Sequence, residues 1–288
     1  MAKLKKYGWV LLKITLSVLG FWFAFHSVED LNLKEVLQGS NLILIFIAGL
    51  TYIGSQVVSS FRLKYVLTAL EDDVPTVWNL KLYFQGMAYN LFLPGGIGGD
   101  AYKMIAYGKR ASKPTKQYFL PLLADRLLGL GAIVILLGFY IPFVPDIETF
   151  EWMKFVAVPA PIVLVGIGYF VVNKWFSLYT PKIWIGLAFS VGIQLLQVLS
   201  ILCILFSLQN ESPNDSIVPL TVFVFLLSSI ATAIPVFMGG LGAREVVFAI
   251  VFVVVGQTAE TGVWVALVFS TIVVLSSLPG LLMGFYKD

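Results

Sequence analysis

Long apolar segments alternate with short polar segments along almost the whole chain. Six of the apolar segments are long enough to cross a bilayer, whose hydrocarbon core of ~30 Å needs about 20 helical residues. The pattern therefore predicts six transmembrane helices. They lie near residues 9–26, 41–60, 116–141, 153–172, 183–207 and 262–286.

Two further apolar stretches, near 78–107 and 217–256, are interrupted in the middle, by Pro94 and neighbouring glycines in the first and by Pro235 and nearby glycines in the second. Glycine and proline both end helices. Each stretch is therefore predicted to be a re-entrant hairpin, in which two short helices enter and leave the membrane on the same side. The alternative, a pair of full spans in each stretch, is not favoured by their lengths.

The two interruptions carry the same glycine-rich pattern. The first glycine turn, residues 93–100, reads LPGGIGGD, and the second glycine turn, residues 237–244, reads FMGGLGAR. The copies are 144 residues apart in a chain of 288, and adding 144 to the first-half boundaries closely reproduces the second-half boundaries. The chain is thus predicted to be one membrane domain, 1–288, made of a repeat at 1–144 and a second repeat at 145–288.

Charged residues predict how the repeats are oriented, because cytoplasmic loops accumulate lysine and arginine. Basic residues cluster at 3–13, 62–64, 103–116 and 174–182, whereas acidic residues occupy 29–30, 146–151, 211–215 and 260. The alternation predicts a multi-pass protein of the cytoplasmic (inner) membrane with both termini in the cytoplasm. Three crossings in each half make the second repeat inverted, an arrangement typical of secondary transporters.

Composition agrees with a membrane protein and limits the chemistry. Hydrophobic residues make up 59% of the chain, charged residues 12%, and the mean hydropathy is +0.91, which is outside the range of a soluble domain. The fold class predicted is all-α integral membrane. One cysteine and one histidine leave no disulfide and no common cysteine-based zinc pattern. The sequence also carries no recognisable catalytic motif. We expect no catalytic residue, no metal, no cofactor and no nucleic-acid partner.

The first glycine turn contains a G-x-G-x-x-A pattern at residues 96–101, but no strand precedes it and no βαβ unit surrounds it, which excludes a dinucleotide site. Turns of this kind instead leave the backbone N–H groups at the start of the following helix without hydrogen-bond partners, and such helix starts bind anions. Two such helices, beginning near Asp100 and Arg244, would suit a phosphate-bearing headgroup. The alternative is that the glycines only allow close helix packing. The turn glycines are Gly95, Gly96, Gly98, Gly99, Gly239, Gly240 and Gly242.

Ionisable side chains within the apolar segments are candidates for substrate binding by default. Asp125 and Arg126 lie about 15 Å into their span, at ~1.5 Å per residue, and cannot pair only with each other because helical neighbours point ~100° apart. We predict that Arg126 pairs with Asp100, and that Arg244 either pairs with Asp125 or binds substrate. The charge of Asp100 would repel a phosphate at the first turn unless Asp100 caps the helix and is neutralised by an arginine.

A structural role is the alternative for several of these residues. Asp125 and Glu245 are equally consistent with salt bridges that hold the hairpins in place. Asn90 is predicted to satisfy backbone groups freed by the turn, or else to contact a headgroup. Arg62, just after the second predicted span, is expected to extend its charged end to the membrane surface.

Three ordered motifs, at residues 93–103 (LPGGIGGDAYK), 124–130 (ADRLLGL) and 238–245 (MGGLGARE), together resemble the signature of the lysylphosphatidylglycerol synthase transmembrane-region family, also called flippase-like domain proteins. The resemblance implies a role in moving lipids across the cytoplasmic membrane. In the bifunctional synthases this region is joined to a soluble aminoacyl-tRNA transferase domain. We expect no such domain, and hence no lysyl transfer, in this chain.

The leading hypothesis is therefore a lipid flippase that works without ATP hydrolysis, with Arg126 and Arg244 receiving the headgroup. Its substrate would be a phospholipid, an aminoacylated lipid or a polyprenyl-phosphate carrier. The alternatives are a membrane-embedded transferase acting on a lipid-linked substrate and a non-catalytic partner of a lipid-synthesis enzyme. The pattern leaves the direction of transport, its energy source and the oligomeric state open.

Overall fold

The structure, a computed structural model, describes residues 39–92, 98–144, 155, 159–208, 216–233 and 240–283. Every regular element in these ranges is helical. The α-helices are α1 (Leu42–Leu67), α2 (Thr76–Phe92), α3 (Gly98–Ala111), α4 (Phe119–Tyr140), α5 (Pro159–Trp175), α6 (Ile183–Leu208), α7 (Ile217–Ala233), α8 (Ala243–Val254), α9 (Ala259–Ser277) and α10 (Pro279–Leu282).

Four helical segments are long and apolar enough to cross a membrane. They are Leu42–Leu70, Thr115–Phe143, Ser177–Leu208 and Ala259–Leu282. Each coincides with one of the six predicted spans. The predicted span at 153–172 overlaps the apolar but shorter helix α5, and the span at 9–26 lies outside the described residues.

The four helices that flank the glycine turns are shorter. Helices α2 and α7 have 17 residues each, α3 has 14 and α8 has 12. At ~1.5 Å per residue they are about 18 to 26 Å long, less than the ~30 Å hydrocarbon core. Helix α2 packs against α3, and α7 packs against α8, as expected for two hairpins. The centres of the turns, 93–97 and 234–239, lie outside the described residues.

Close contact in the first hairpin depends on two glycines. A Cβ atom added at Gly99 would lie 2.0 Å from the backbone oxygen of Gly86, a distance that no side chain tolerates. Gly99 therefore allows the close packing of two helices, which is the alternative interpretation of the turn glycines. In the second hairpin, Gly240 and Gly242 have φ of +79° and +88°, a backbone conformation that favours glycine.

Helix order in the second half follows the order in the first. Helices α6, α7, α8 and α9 begin at residues 183, 217, 243 and 259, which is 141, 141, 145 and 140 residues after the starts of α1, α2, α3 and α4 at 42, 76, 98 and 119. The largest buried apolar cluster includes side chains from α1, α6, α7, α8 and α9. It therefore draws on both halves of the chain.

Helices α1 and α6 carry polar contacts along their shared face. Ser200 donates a hydrogen bond to the Ala48 carbonyl oxygen at 2.8 Å, and Gln197 Nε2 donates to Ser55 Oγ at 3.3 Å. Between membrane helices, small residues and hydrogen bonds supply association that apolar burial does not. This face joins α1 and α6, which occupy matching positions in the two halves. It forms one side of the polar interior described below.

Candidate functional site

A buried ion pair joins three helices at one end of the polar interior. Arg62 on α1 donates from Nε and Nη2 to the two carboxylate oxygens of Asp125 on α4, at 2.7 and 3.1 Å. Its Nη1 donates to Ser190 Oγ on α6 at 2.8 Å. Bidentate pairing of this kind satisfies both charges. A Cβ atom at Gly129 would lie 3.3 Å from Nη1, so this glycine leaves room for the guanidinium.

This ion pair corrects two predictions. Arg62 does not extend to the membrane surface, since it is only 7% exposed. Helix α1 continues to Leu67, beyond the predicted end of the span at 60, so Arg62 lies inside the helix bundle. Asp125 pairs with Arg62 and not with Arg244, and this pairing supports the structural interpretation of Asp125.

A second cluster of charges, the Asp100 triad, consists of Asp100, Lys103 and Arg126. Asp100 lies in the first turn of α3 and accepts from Lys103 Nζ at 2.9 Å through Oδ1. Arg126 Nε on α4 pairs with the other carboxylate oxygen, Oδ2. The predicted pairing of Arg126 with Asp100 is confirmed. The triad as a whole has a net charge of +1.

The charge pattern predicts that Lys103 belongs to the basic cytoplasmic loop at 103–116. In the structure it lies instead on the buried face of α3 and is 6% exposed. Its ammonium group sits 4.6 Å from the centre of the Tyr83 ring. A Cβ atom at Gly86 would lie 2.9 Å from Lys103 Cε. The spacing of Asp100 and Lys103, three residues apart on one helix, is a signal that the sequence did contain.

Tyr83 lies between the two charge clusters. Its hydroxyl is within electrostatic range of Lys103, Asp125 and Arg62. The Tyr52 hydroxyl is in turn within range of Tyr83 and Arg244. These electrostatic interactions, which are not direct contacts, link the Asp100 triad, the Arg62 pair and the second glycine turn. Together these groups make up the polar interior.

Asn90 satisfies the backbone at the first glycine turn. Its Oδ1 accepts a hydrogen bond at 2.8 Å from the N–H of Gly99, next to Gly98, the first residue of α3. This contact confirms the predicted backbone role of Asn90. Gly95 and Gly96, also assigned to the site, lie outside the described residues.

Glu245 performs the equivalent task at the second turn. The side chain is fully buried, and its Oε2 accepts from the N–H of Gly242 at 2.9 Å. Its other oxygen accepts from Ser270 Oγ on α9. Both carboxylate oxygens are therefore used in fixing the start of α8, which supports the structural interpretation of Glu245. Gly240 belongs to the described part of this turn, and Gly239 does not.

Arg244, in the first turn of α8, has a different environment from Arg62 and Arg126. Its guanidinium lies 4.2 Å from the centre of the Phe269 ring and 5.3 Å from that of Phe225. The residue is 9% exposed, and its Nε has no hydrogen-bond partner in the part of the chain that the structure describes. Within the described ranges, no carboxylate forms a salt bridge with Arg244.

The two turns differ in charge at matching positions. Arg244 is the residue 144 positions after Asp100, and Ser270 is the residue 144 positions after Arg126. The first half thus places an acid at its turn and pairs it with an arginine on α4. The second half places an arginine at its turn and puts serine where the partner would be. Of the cations described in this interior, Arg62, Lys103 and Arg126 form salt bridges and Arg244, at the second turn, forms none.

An apolar cavity of about 380 Å³ lies elsewhere, between α4, α5 and α6. Its one charged lining residue is Lys182, and none of Asp100, Arg126 or Arg244 lines it. Among the described residues there is also no group of three or more His, Cys, Asp or Glu side chains arranged for a metal ion.

Comparison with known proteins gives one match. The family model described as "Lysylphosphatidylglycerol synthase TM region" matches residues 10–179 and 174–280, which together cover most of the chain. No curated protein and no solved structure matches the chain.

Proposed function

Because the chain belongs to the lysylphosphatidylglycerol synthase transmembrane-region family, a group of membrane domains of flippase-like, lipid-related proteins, we propose that it moves a phosphate-bearing lipid across the cytoplasmic membrane. In this proposal the headgroup binds between the two glycine turns, with Arg244 as its principal ligand and Arg126 as its second. The site residues Gly98, Gly99, Gly240 and Gly242 shape the two helix starts around it.

The environment of Arg244 is the observation that carries the proposal. A guanidinium held in an apolar setting without a carboxylate is costly, since buried charges in proteins are normally paired. The aromatic rings of Phe225 and Phe269 compensate in part through cation–π attraction. The Nε–H of the guanidinium has no hydrogen-bond partner among the described residues, and in this proposal it donates to an anion. Arginine binds phosphate well because its planar donors match the phosphate oxygens.

The start of α8 adds to the attraction. A helix N-terminus carries partial positive charge and unsatisfied N–H groups, and Arg244 is in the first turn of this helix. The charge of Glu245 acts on Arg244 electrostatically and opposes anion binding. Its two oxygens are nevertheless engaged by Gly242 and Ser270, so they leave the Arg244 Nε–H to another acceptor. The start of α8 and Arg244 together therefore favour a negatively charged ligand.

Arg126 provides the second cation at the first turn. Its side chain is 39% exposed, compared with 8% for Arg62. The Asp100 triad keeps a net positive charge, so a monoanionic phosphate there would be neutralised. Binding at both turns suits transport, because a headgroup has to be released from one face and received at the other.

The topology that transport requires is part of the proposal. If the two halves are inverted repeats, the hairpins α2–α3 and α7–α8 enter from opposite faces and meet near the midplane, where transporter sites form. The matching order of α1–α4 and α6–α9 supports this arrangement. The lipid would then cross by alternating exposure of one site, with both termini in the cytoplasm.

Reconstitution tests the proposal. Purified protein in liposomes should move fluorescent phosphatidylglycerol between leaflets, measured by quenching with an impermeant reductant, and Arg244→Gln should slow the movement at least tenfold. Lys109→Gln is the matched control, because Lys109 is an exposed cation of α3. Transport of no tested phospholipid, aminoacylated lipid or polyprenyl phosphate by the wild type would overturn it, and product formation from a lipid and an added donor would favour a transferase.

A further inference from the structure

We propose that Lys103 is a positioning residue for headgroup binding. When Arg126 leaves the Asp100 carboxylate for a lipid phosphate, Lys103 remains paired with that carboxylate and compensates its negative charge. The proposal rests on the function proposed above and goes beyond it, since Lys103 itself contacts no lipid in this scheme. Its role is to make Arg126 available.

The geometry of the Asp100 triad separates the two cations. Lys103 occupies Oδ1 of Asp100, whereas Arg126 occupies Oδ2. Because each cation has its own oxygen, Arg126 can turn away without disturbing the Lys103 contact. A single shared oxygen would not allow this.

The two cations also differ in how firmly they are held. The Lys103 side chain is 7% exposed, lies over the Tyr83 ring at 4.6 Å and packs its stem against Gly86. The Arg126 side chain is 39% exposed. Lys103 is therefore fixed inside the bundle, and Arg126 is the member of the triad that a ligand can reach.

Burial of Asp100 explains why two cations are needed. Its side chain is 16% exposed, and removing one partner of a buried ion pair is strongly unfavourable because it leaves a charge uncompensated. With Lys103 in place, transfer of Arg126 to a phosphate leaves Asp100 paired. Without Lys103, the same transfer would strand the carboxylate, so Arg126 would remain bound to Asp100.

Lipid binding to purified protein in detergent, with phosphatidylglycerol as the probe and native mass spectrometry as the readout, tests this role. Lys103→Met should weaken binding at least tenfold. Lys109→Met is the matched control, since it removes an exposed lysine from the same helix, and it should leave binding within about twofold of wild type, because exposed charges contribute little.

The decisive comparison adds Asp100→Asn. Once the carboxylate is gone, moving Arg126 leaves no negative charge at residue 100, so Lys103→Met should have less than a twofold effect in the Asp100→Asn background. A plain loss of positive charge predicts instead that Lys103→Met weakens binding by the same factor in both backgrounds. That additive result would overturn the inference, as would unchanged binding in Lys103→Met alone.

The outcome separates this inference from the proposed function. If the wild type binds neither phosphatidylglycerol nor an aminoacylated lipid nor a polyprenyl phosphate, the proposed function fails. If Arg126→Gln binds phosphatidylglycerol as well as the wild type, Arg126 is not a headgroup ligand, and the role proposed for it above fails together with this inference. If the wild type binds and Arg126→Gln does not, but the two Lys103→Met effects are additive, only the positioning role of Lys103 fails. Thermal unfolding of each variant checks that the protein is folded.

Discussion

Arg244 and Phe269 form a face-on contact in the interior of the protein, with 4.2 Å between the guanidinium carbon and the ring centre. Phe269 lies 144 residues after Asp125, the residue that neutralises Arg62 in the first half. The two halves thus hold a buried arginine in different ways, one by a carboxylate and the other by an aromatic ring. Among the described residues, only the second arrangement leaves the guanidinium Nε without a hydrogen-bond partner.

The aromatic contact predicts a measurable effect on lipid affinity. Phe269→Leu keeps an apolar side chain but removes the ring, and a cation–π contact is worth about 0.5 to 2 kcal/mol. Phosphatidylglycerol binding should weaken by a factor of up to roughly 30, because without the ring the guanidinium is no longer held in its binding position. A contact changes affinity only as far as it differs between the free and bound states. Phe252→Leu is the control, because Phe252 is equally buried and stacks on Phe248. Equal binding by the two variants would contradict the role of the ring.

The Arg62–Asp125 pair is predicted to stabilise the fold and to take no part in lipid binding. Arg62→Met should lower the free energy of unfolding by about 3 to 5 kcal/mol, because it leaves a buried carboxylate unpaired. The double variant Arg62→Met with Asp125→Leu should recover much of that loss. Unfolding in detergent measures both. A double variant less stable than Arg62→Met would show that Asp125 has another role.

Close packing of the first hairpin gives a third prediction. Gly99→Ala should strongly destabilise the protein, because its methyl group would overlap the Gly86 backbone at 2.0 Å. Gly192→Ala is the control, since a Cβ atom there meets nothing within 4 Å. The comparison uses the midpoint temperature of unfolding. Tolerance of Gly99→Ala would mean that α2 and α3 do not pack as the structure has them.

Cysteine labelling tests the proposed topology. In a Cys203→Ala background, an impermeant thiol reagent should reach Arg110→Cys only from the cytoplasm and Glu260→Cys only from the opposite side. Both positions are exposed, so access is decided by the membrane alone. The reverse pattern would overturn the orientation, and labelling of both from one side would overturn the inverted repeat.

Hydropathy and glycine placement predicted an all-helical protein and four of its membrane-competent segments. Four described segments coincide with predicted spans, and the helices around both turns end where glycine and proline interrupt the apolar stretches. The match of the family model confirms the family that the three motifs indicated. The link between Asp100 and Arg126 followed from depth alone, because two opposite charges at the same inferred depth in a membrane have few other partners.

The partners of Arg62 and Lys103 could not be predicted in the same way. Arg62 and Asp125 are 63 residues apart, and the apolar pattern ended the span before the arginine. Lys103 follows the charge pattern of a cytoplasmic loop, yet helix α3 turns it inwards towards Tyr83. Both misplacements have one cause: hydropathy reports how deep a segment lies, but the rotation of a helix decides what a charged side chain meets.

Binding of a lipid headgroup by Arg244 is central to the proposed function. It is tested most directly by a cryo-electron microscopy structure of the protein in nanodiscs that contain phosphatidylglycerol. The proposed function predicts lipid density between the two glycine turns, with a phosphate oxygen within hydrogen-bond distance of the Arg244 guanidinium. A guanidinium that is instead paired with a carboxylate of the chain, with no lipid beside it, would contradict the claim that Arg244 is held open for a headgroup.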